Sequence, residues 1–315
     1  MGAPATGKST LLQQLRQNCT LGTDKFEIHD AVNGKMDRQP SNSNRYFPTA
    51  FIDFAAQPVR YQRPQDPLFG LLMLRNELAK FHIHFAFFDF ACLIYLHKTA
   101  QLTPERIRYL FPIEERGFIF KLAGLIEKVP FGKIKNEVFN VISHSYRKHN
   151  TPYIMHRNAD SALCEKIQTM QAENELLDEL AVLFADELKT EVKLPLGSRN
   201  IALFFDSLEA FNENFVSEKR QSHERITNSW VRIVVQQLQK APGITVVLAS
   251  RNAPDRQYLH SSSKSQKVIR LFNLEYFTEK ESDDLFTKKE ISNPAFRHYF
   301  KQWAVVKHNR FNPLV

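Results

Sequence analysis

The chain has 315 residues, 43% hydrophobic and 24% charged, with a formal net charge of +8. These values exclude a disordered polar chain and leave ample material for a core. No run reaches ~18 apolar residues and the start has no apolar leader, so neither a membrane span nor a secretory signal is read and a cytoplasmic location is expected.

Cys19, Cys92 and Cys164 are widely spaced without a CxxC. That speaks against a disulfide framework or zinc module and suits a reducing compartment. The Lys and Arg residues are dispersed, which reads as a solvated basic surface, although the basic excess also suits nucleic acid or an anionic ligand. The 26 Phe residues point to an aromatic core.

The first ten residues, MGAPATGKST, fit G-x-x-x-x-G-K-[ST] from Gly2 to Ser9. Small residues in such a run let backbone N–H groups turn inward as an anion nest, and the following helix adds its positive end. Gly2, Ala3, Pro4, Ala5, Thr6 and Gly7 are therefore read as a phosphate cradle, continued by Lys8, Ser9 and Thr10. Lys8 supplies a mobile charge for the β- and γ-phosphates and Ser9 a hydroxyl for Mg²⁺. A loop of this kind ordinarily follows a buried strand. Only Met1 precedes it here, so the feeding strand is expected upstream, in a longer protein.

Leu11, Leu12 and Leu15 then form the apolar stripe of a helix. Residues 18–44 read as a surface connection, and Thr49 to Ala55 as a buried strand interrupted by Asp53. Asp66-Pro67 is an N-cap with proline at the first helical position. The helix it opens carries Leu68, Leu71, Leu72, Arg75, Leu78 and Phe81. Phe85 to Leu96 reads as a buried helix, and Thr103-Pro104 opens another that stops near Pro112. Two helical pieces follow from Arg116 to Lys148, broken at Pro130-Phe131-Gly132. Ala159 to Val192 reads as one long amphipathic helix.

Strand patterning resumes at Ile201 to Phe205, ended by Asp206, and returns at Ile244 to Ala249 and Val268 to Leu274. A helix from Arg225 to Ala241 lies between the first two. Thr278 and Glu281 form a capping box for a helix through Lys289. Strands apolar on both faces and alternating with helices indicate α/β architecture, a parallel sheet covered on both sides. The sheet is interrupted by a helical insertion over about 66–197. The core is read as 1–275, with 276–315 opening a small helical domain.

Strand C-termini in such folds face the ligand crevice. Asp206 is therefore read as the second holder of Mg²⁺, Glu209 as the general base and Arg251 as a sensor of the γ-phosphate. Asp53 also ends a strand, without a role assigned.

The ordered motifs GAPATGKST, FIDFA, DPLFGLLMLRNEL, FDFACLIYLHK, ALFFDSLEAF, SWVRIVVQQL and ITVVLASR resemble the nucleotide-binding domain of STAND NTPases, relatives of NACHT and NB-ARC switches. LEYFTEKESDDLF resembles the entry to that family's small helical domain, and Asn312-Pro313-Leu314 its N-P-L motif. The resemblance implies the three-layer sandwich of P-loop NTPases, ATP or ADP with Mg²⁺ as ligands, and slow hydrolysis serving a signalling switch. It also implies Pro313 beside the adenine, and self-association or protein partners engaged through flanking domains. The acidic motif departs from the family, reading DSLE in place of D-G-x-D-E. Three other readings stay open: a nucleic-acid-associated AAA+-like ATPase, a P-loop kinase and a non-hydrolysing nucleotide-binding scaffold.

Overall fold

A computed structural model describes residues 8–21, 47–56, 63–128, 135–148, 157–192, 200–211, 230–239, 241–251, 278–288, 290–307 and 310–311. The described chain is mostly helical around a small parallel sheet of three strands. These are β1 (Thr49–Asp53), β2 (Ile201–Asp206) and β3 (Ile244–Leu248), in that order across the sheet. Thr49 stands opposite Ala202 and Asp53 opposite Asp206, while Ile201 stands opposite Ile244. The expected strand at Val268 to Leu274 lies outside the described residues.

Alternation along the strands divides their side chains between two layers. Ala50, Ile52, Ile201, Leu203 and Phe205 join the main core, together with Ile244, Val246 and Leu248. That face is covered by α2 (Pro67–Ala79) and α9 (Trp230–Leu238), and α8 (Leu177–Val192) packs against both helices. Phe51, Ala202, Phe204 and Val247 point the other way, onto Leu12 and Leu15 of α1 (Lys8–Leu21). Leu11, placed on the same stripe by its spacing, is instead 42% exposed. β2 is buried at every residue, whereas β3 is only partly covered. Neither Arg225 nor the chain between Phe211 and Trp230 is among the described residues, so α9 is described from Trp230 on.

The helical block continues with α3 (Ala86–Lys98), α4 (Pro104–Leu110), α5 (Arg116–Lys128), α6 (Lys135–Lys148) and α7 (Arg157–Thr169). Its starts follow local chemistry. The Asp66 carboxylate accepts from the N–H groups of Leu68 and Phe69 at 3.0 and 3.3 Å, and Pro67 needs no acceptor. Thr103 caps α4 through Arg106 N–H at 3.2 Å. α3 has no local side-chain cap. Glu187 of α8 supplies one, accepting from Phe87 and Phe88 N–H at 3.0 and 2.9 Å.

One expected helix is two. The chain breaks after α7 at Met170-Gln171, and Gln171 is extended with φ −70 and ψ 135. A π-turn (Ala172–Leu176) then leads into α8 with Leu176 N–H bonded to Gln171 O at 3.0 Å. Thr169 Oγ1 turns back onto the Glu165 and Lys166 carbonyls, and Lys98 Nζ donates to the freed Met170 carbonyl. The apolar spacing runs straight through this break, so no glycine or proline marks it.

Arg75, which the spacing puts in an apolar stripe, is paired. Arg75 is fully buried, with Nε and Nη2 on the two Asp89 oxygens at 2.9 and 2.6 Å and Nη2 also on Glu115. His84 Nδ1 lies 3.2 Å from the other Glu115 oxygen. Burial pushes the Asp89 carboxyl upward, and the Arg75 guanidinium opposes that shift. This network ties α2 to α3 and to the turn before α5.

The C-terminal segment holds α10 (Glu279–Lys288) and α11 (Pro294–Ala304). The Thr278–Glu281 capping box is formed in both directions, at 2.7 and 3.3 Å. A short antiparallel pair follows, β4 (Val305–Lys307) with β5 (Arg310–Phe311), in a stretch read as the opening of a helical domain.

Gly70 marks a tight helix contact. A Cβ there would lie 2.4 Å from Trp230 Cζ2 and 2.5 Å from the Pro64 carbonyl oxygen. Trp230 cannot retreat, because its ring packs 6.1 Å from both Phe54 and Phe205. Gly70→Ala gains up to about 1 kcal/mol of helix propensity but overpacks a rigid site at about 1–3 kcal/mol. The variant is expected to unfold at lower denaturant concentration than wild type, as measured by chemical denaturation.

Candidate functional site

The parallel register brings strand ends together at one edge of the sheet. Asp206 ends β2 beside Asp53, and the chain then passes through Ser207 at φ 55. That left-handed backbone is uncommon outside glycine. It lets Ser207 N–H turn back to Asp206 Oδ1 at 2.8 Å. Asp206 is 2% exposed, and its Oδ2 is buried without a hydrogen-bond partner among the described residues.

The first turn of α1 arrives at the same place, because Leu12 and Leu15 anchor that helix on Ala202 and Phe204. The Ser9 hydroxyl approaches the Asp206 carboxyl closely enough to favour its charged form, without completing a bond to Oδ2. Burial is the larger influence and pushes the Asp206 carboxyl above the ordinary aspartate range. Ser9 and Ser207 pull it back, and the charges of Asp53 and Glu209 raise it further. Partial burial lowers the Lys8 ammonium from its usual range. The Glu209 carboxylate opposes that, the Arg251 guanidinium adds to it, and Asp206 opposes it. Lys8 therefore sits in the joint field of all three. Thr10 is exposed on α1.

A helical turn at residues 208–211 directs Glu209 across to the end of β3. Its Oε2 accepts from Ser250 Oγ at 3.1 Å and from Arg251 N–H at 3.0 Å. Arg251 Nε lies 3.1 Å from Oε1. The Glu209 side chain is 10% exposed, but that of Arg251 is 57% exposed.

Of the residues singled out by sequence, Lys8, Ser9, Asp206, Glu209 and Arg251 are thus brought together. Gly2, Ala3, Pro4, Ala5, Thr6, Gly7 and Pro313 lie outside the described residues. Three contributors went unassigned: Asp53, Ser207 and the Ser250 hydroxyl. Asp53 carried a signal, an acid at a strand end like Asp206. Nothing in the local spelling announces the backbone turn at Ser207.

Among the described residues, no group of three or more His, Cys, Asp or Glu gathers as a metal cluster. A cation held by one hydroxyl, one carboxylate and ligand oxygens needs no such cluster. The buried, unpartnered Asp206 Oδ2 beside Ser9 is a donor pair of that kind. No described helix is long and apolar enough to cross a membrane. Comparison with protein-family models, with curated proteins and with solved structures finds no match for the chain.

The Asp206 environment carries a stability consequence. A carboxyl raised in the folded state binds its proton more tightly there than when unfolded. Its favourable contribution is present below the ordinary aspartate range and is lost as pH rises through the folded value. Asp206→Asn is expected to stabilise the ligand-free chain at neutral pH by about 1 kcal/mol, the order of an unsatisfied buried polar group. Thermal melts across pH check this: the advantage should shrink as pH falls into the acid range.

Proposed function

We propose that the chain is the nucleotide-binding core of a regulatory P-loop NTPase of the STAND class, binding ATP or ADP with Mg²⁺ and hydrolysing slowly as a signalling switch. One observation carries this reading. Lys8 and Ser9, the end of the G-x-x-x-x-G-K-S motif, stand at a helix start that meets the strand-ending Asp206, with Glu209 and Arg251 alongside. A chance motif at the N-terminus has no reason to meet those partners.

The three-layer P-loop sandwich is part of the same proposal, supported by α1 on one face of the parallel sheet and α2 and α9 on the other. In this reading Lys8 neutralises the β- and γ-phosphates, and Ser9 with Asp206 holds Mg²⁺, which would supply charge neutralisation on those phosphates. Among the described residues, the cationic side chains Lys8 and Arg251 face three carboxylates, Asp53, Asp206 and Glu209. A ligand that brings its own divalent cation suits that balance better than a bare polyanion.

In this reading Arg251 engages the terminal phosphate and so distinguishes ATP from ADP. Switching requires the two nucleotides to bind two forms of the protein with different affinities, with protein partners or self-association reading the outcome. A non-hydrolysing scaffold is the second reading, favoured by one fact: the Glu209 carboxylate is engaged by β3. Release of phosphate from saturating Mg·ATP separates the two.

The direct test is nucleotide affinity by calorimetry for wild type and Lys8→Ala. Loss of a charged contact to phosphate should weaken Mg·ATP binding on the order of tenfold or more. Equal affinity would overturn the assignment.

A further inference from the structure

Glu209 occupies the sequence position of a general base, yet its contacts describe a different task. Such a base needs an oxygen turned toward the attacking water. Here Oε2 takes the Ser250 hydroxyl and the Arg251 N–H, at 3.1 and 3.0 Å, and Oε1 faces Arg251 Nε at 3.1 Å. Both carboxylate oxygens are thus directed at the end of β3, two of the three contacts on Arg251 itself.

Holding Arg251 at its backbone N–H and at Nε fixes the start of the side chain and the plane of the guanidinium. The far edge, Nη1 and Nη2, has no hydrogen-bond or ion-pair partner among the described residues, and the side chain is 57% exposed. That edge is the fork that matches two oxygens of a phosphate. An arginine loses considerable rotamer freedom when it engages a ligand, and one already oriented loses less.

We infer that Glu209 is a positioning residue, which orients the Arg251 fork toward a terminal phosphate and so sets the preference for nucleoside triphosphate over diphosphate. This rests on the nucleotide-binding reading above. It differs from a general-base role in what it controls: discrimination in binding, not the removal of a proton.

The experiment measures dissociation constants for Mg·ATP and Mg·ADP, together with phosphate release, for wild type, Glu209→Ala, Glu209→Gln, Arg251→Ala and the double Ala variant. Wild type should prefer Mg·ATP. Arg251→Ala should lower that preference on the order of tenfold, and Glu209→Ala should lower it comparably. The double variant should be no worse than Arg251→Ala, the non-additivity expected of residues acting as one unit. Glu209→Gln, which keeps an acceptor for Arg251 N–H, should restore part of the preference and guards against a folding defect in the alanine variant.

An unchanged ATP/ADP ratio in Glu209→Ala, with phosphate release abolished, would make Glu209 a base and overturn the inference. Additive losses in the double variant would do the same. A wild type that binds neither nucleotide would overturn the nucleotide-binding reading itself, and is seen before any variant is made.

Discussion

The hydrogen-bond register of the three parallel strands is the constraint on which the rest of the structure depends. Parallel pairing sends every strand end to the same edge, so Asp53, Asp206 and the Ser250-Arg251 turn become neighbours without any contact being specified between them. A slip of one residue would exchange the two faces of β2. Leu203 and Phe205 would leave the main core for the α1 side, and Ala202 and Phe204 would take their place. Fully buried apolar residues on both faces of β2 hold the register fixed, and the acid at its end is carried along.

The helical block obeys a different constraint. A few of its charged residues lie within apolar surfaces and are answered by distant partners: Arg75 by Asp89 and Glu115, and Glu187 by the start of α3. A buried ion pair seldom adds much net stability, because desolvation offsets the attraction. What it does add is intolerance of alternatives. A helix rotated or shifted by one turn would strand a charge in the core, so these pairs select one packing among several that bury similar apolar area.

Much of this was legible in sequence because the relevant physics is local. Asp66-Pro67, Thr103 and the Thr278–Glu281 box announce their helices, and the apolar runs ending in Asp53 and Asp206 announce strands and their crevice ends. The meeting of Lys8 and Ser9 with Asp206 was legible as a motif with an expected partner. Other features depend on tertiary partners and left no local trace. The break at Met170-Gln171 keeps helical spacing on both sides, so periodicity reads through it. Glu187 looks like a polar residue on a solvated face, yet it is buried as a cap. Glu209 was read as a general base, but a sequence does not say which way a carboxylate turns, and here it turns to β3.

The cap that Glu187 gives α3 sets an order of events. The two N–H groups it satisfies lie 99 and 100 residues earlier in the chain. During synthesis, α3 is complete long before its acceptor exists, and closing that separation has an entropic cost that grows with its length. Until then the first turn of the Phe-rich helix lacks this cap, and the part of its apolar surface that α8 covers has only α5, α6 and α7 beside it. One element, α8, supplies both the cap and the Phe184 ring that packs on Phe85 and Phe88.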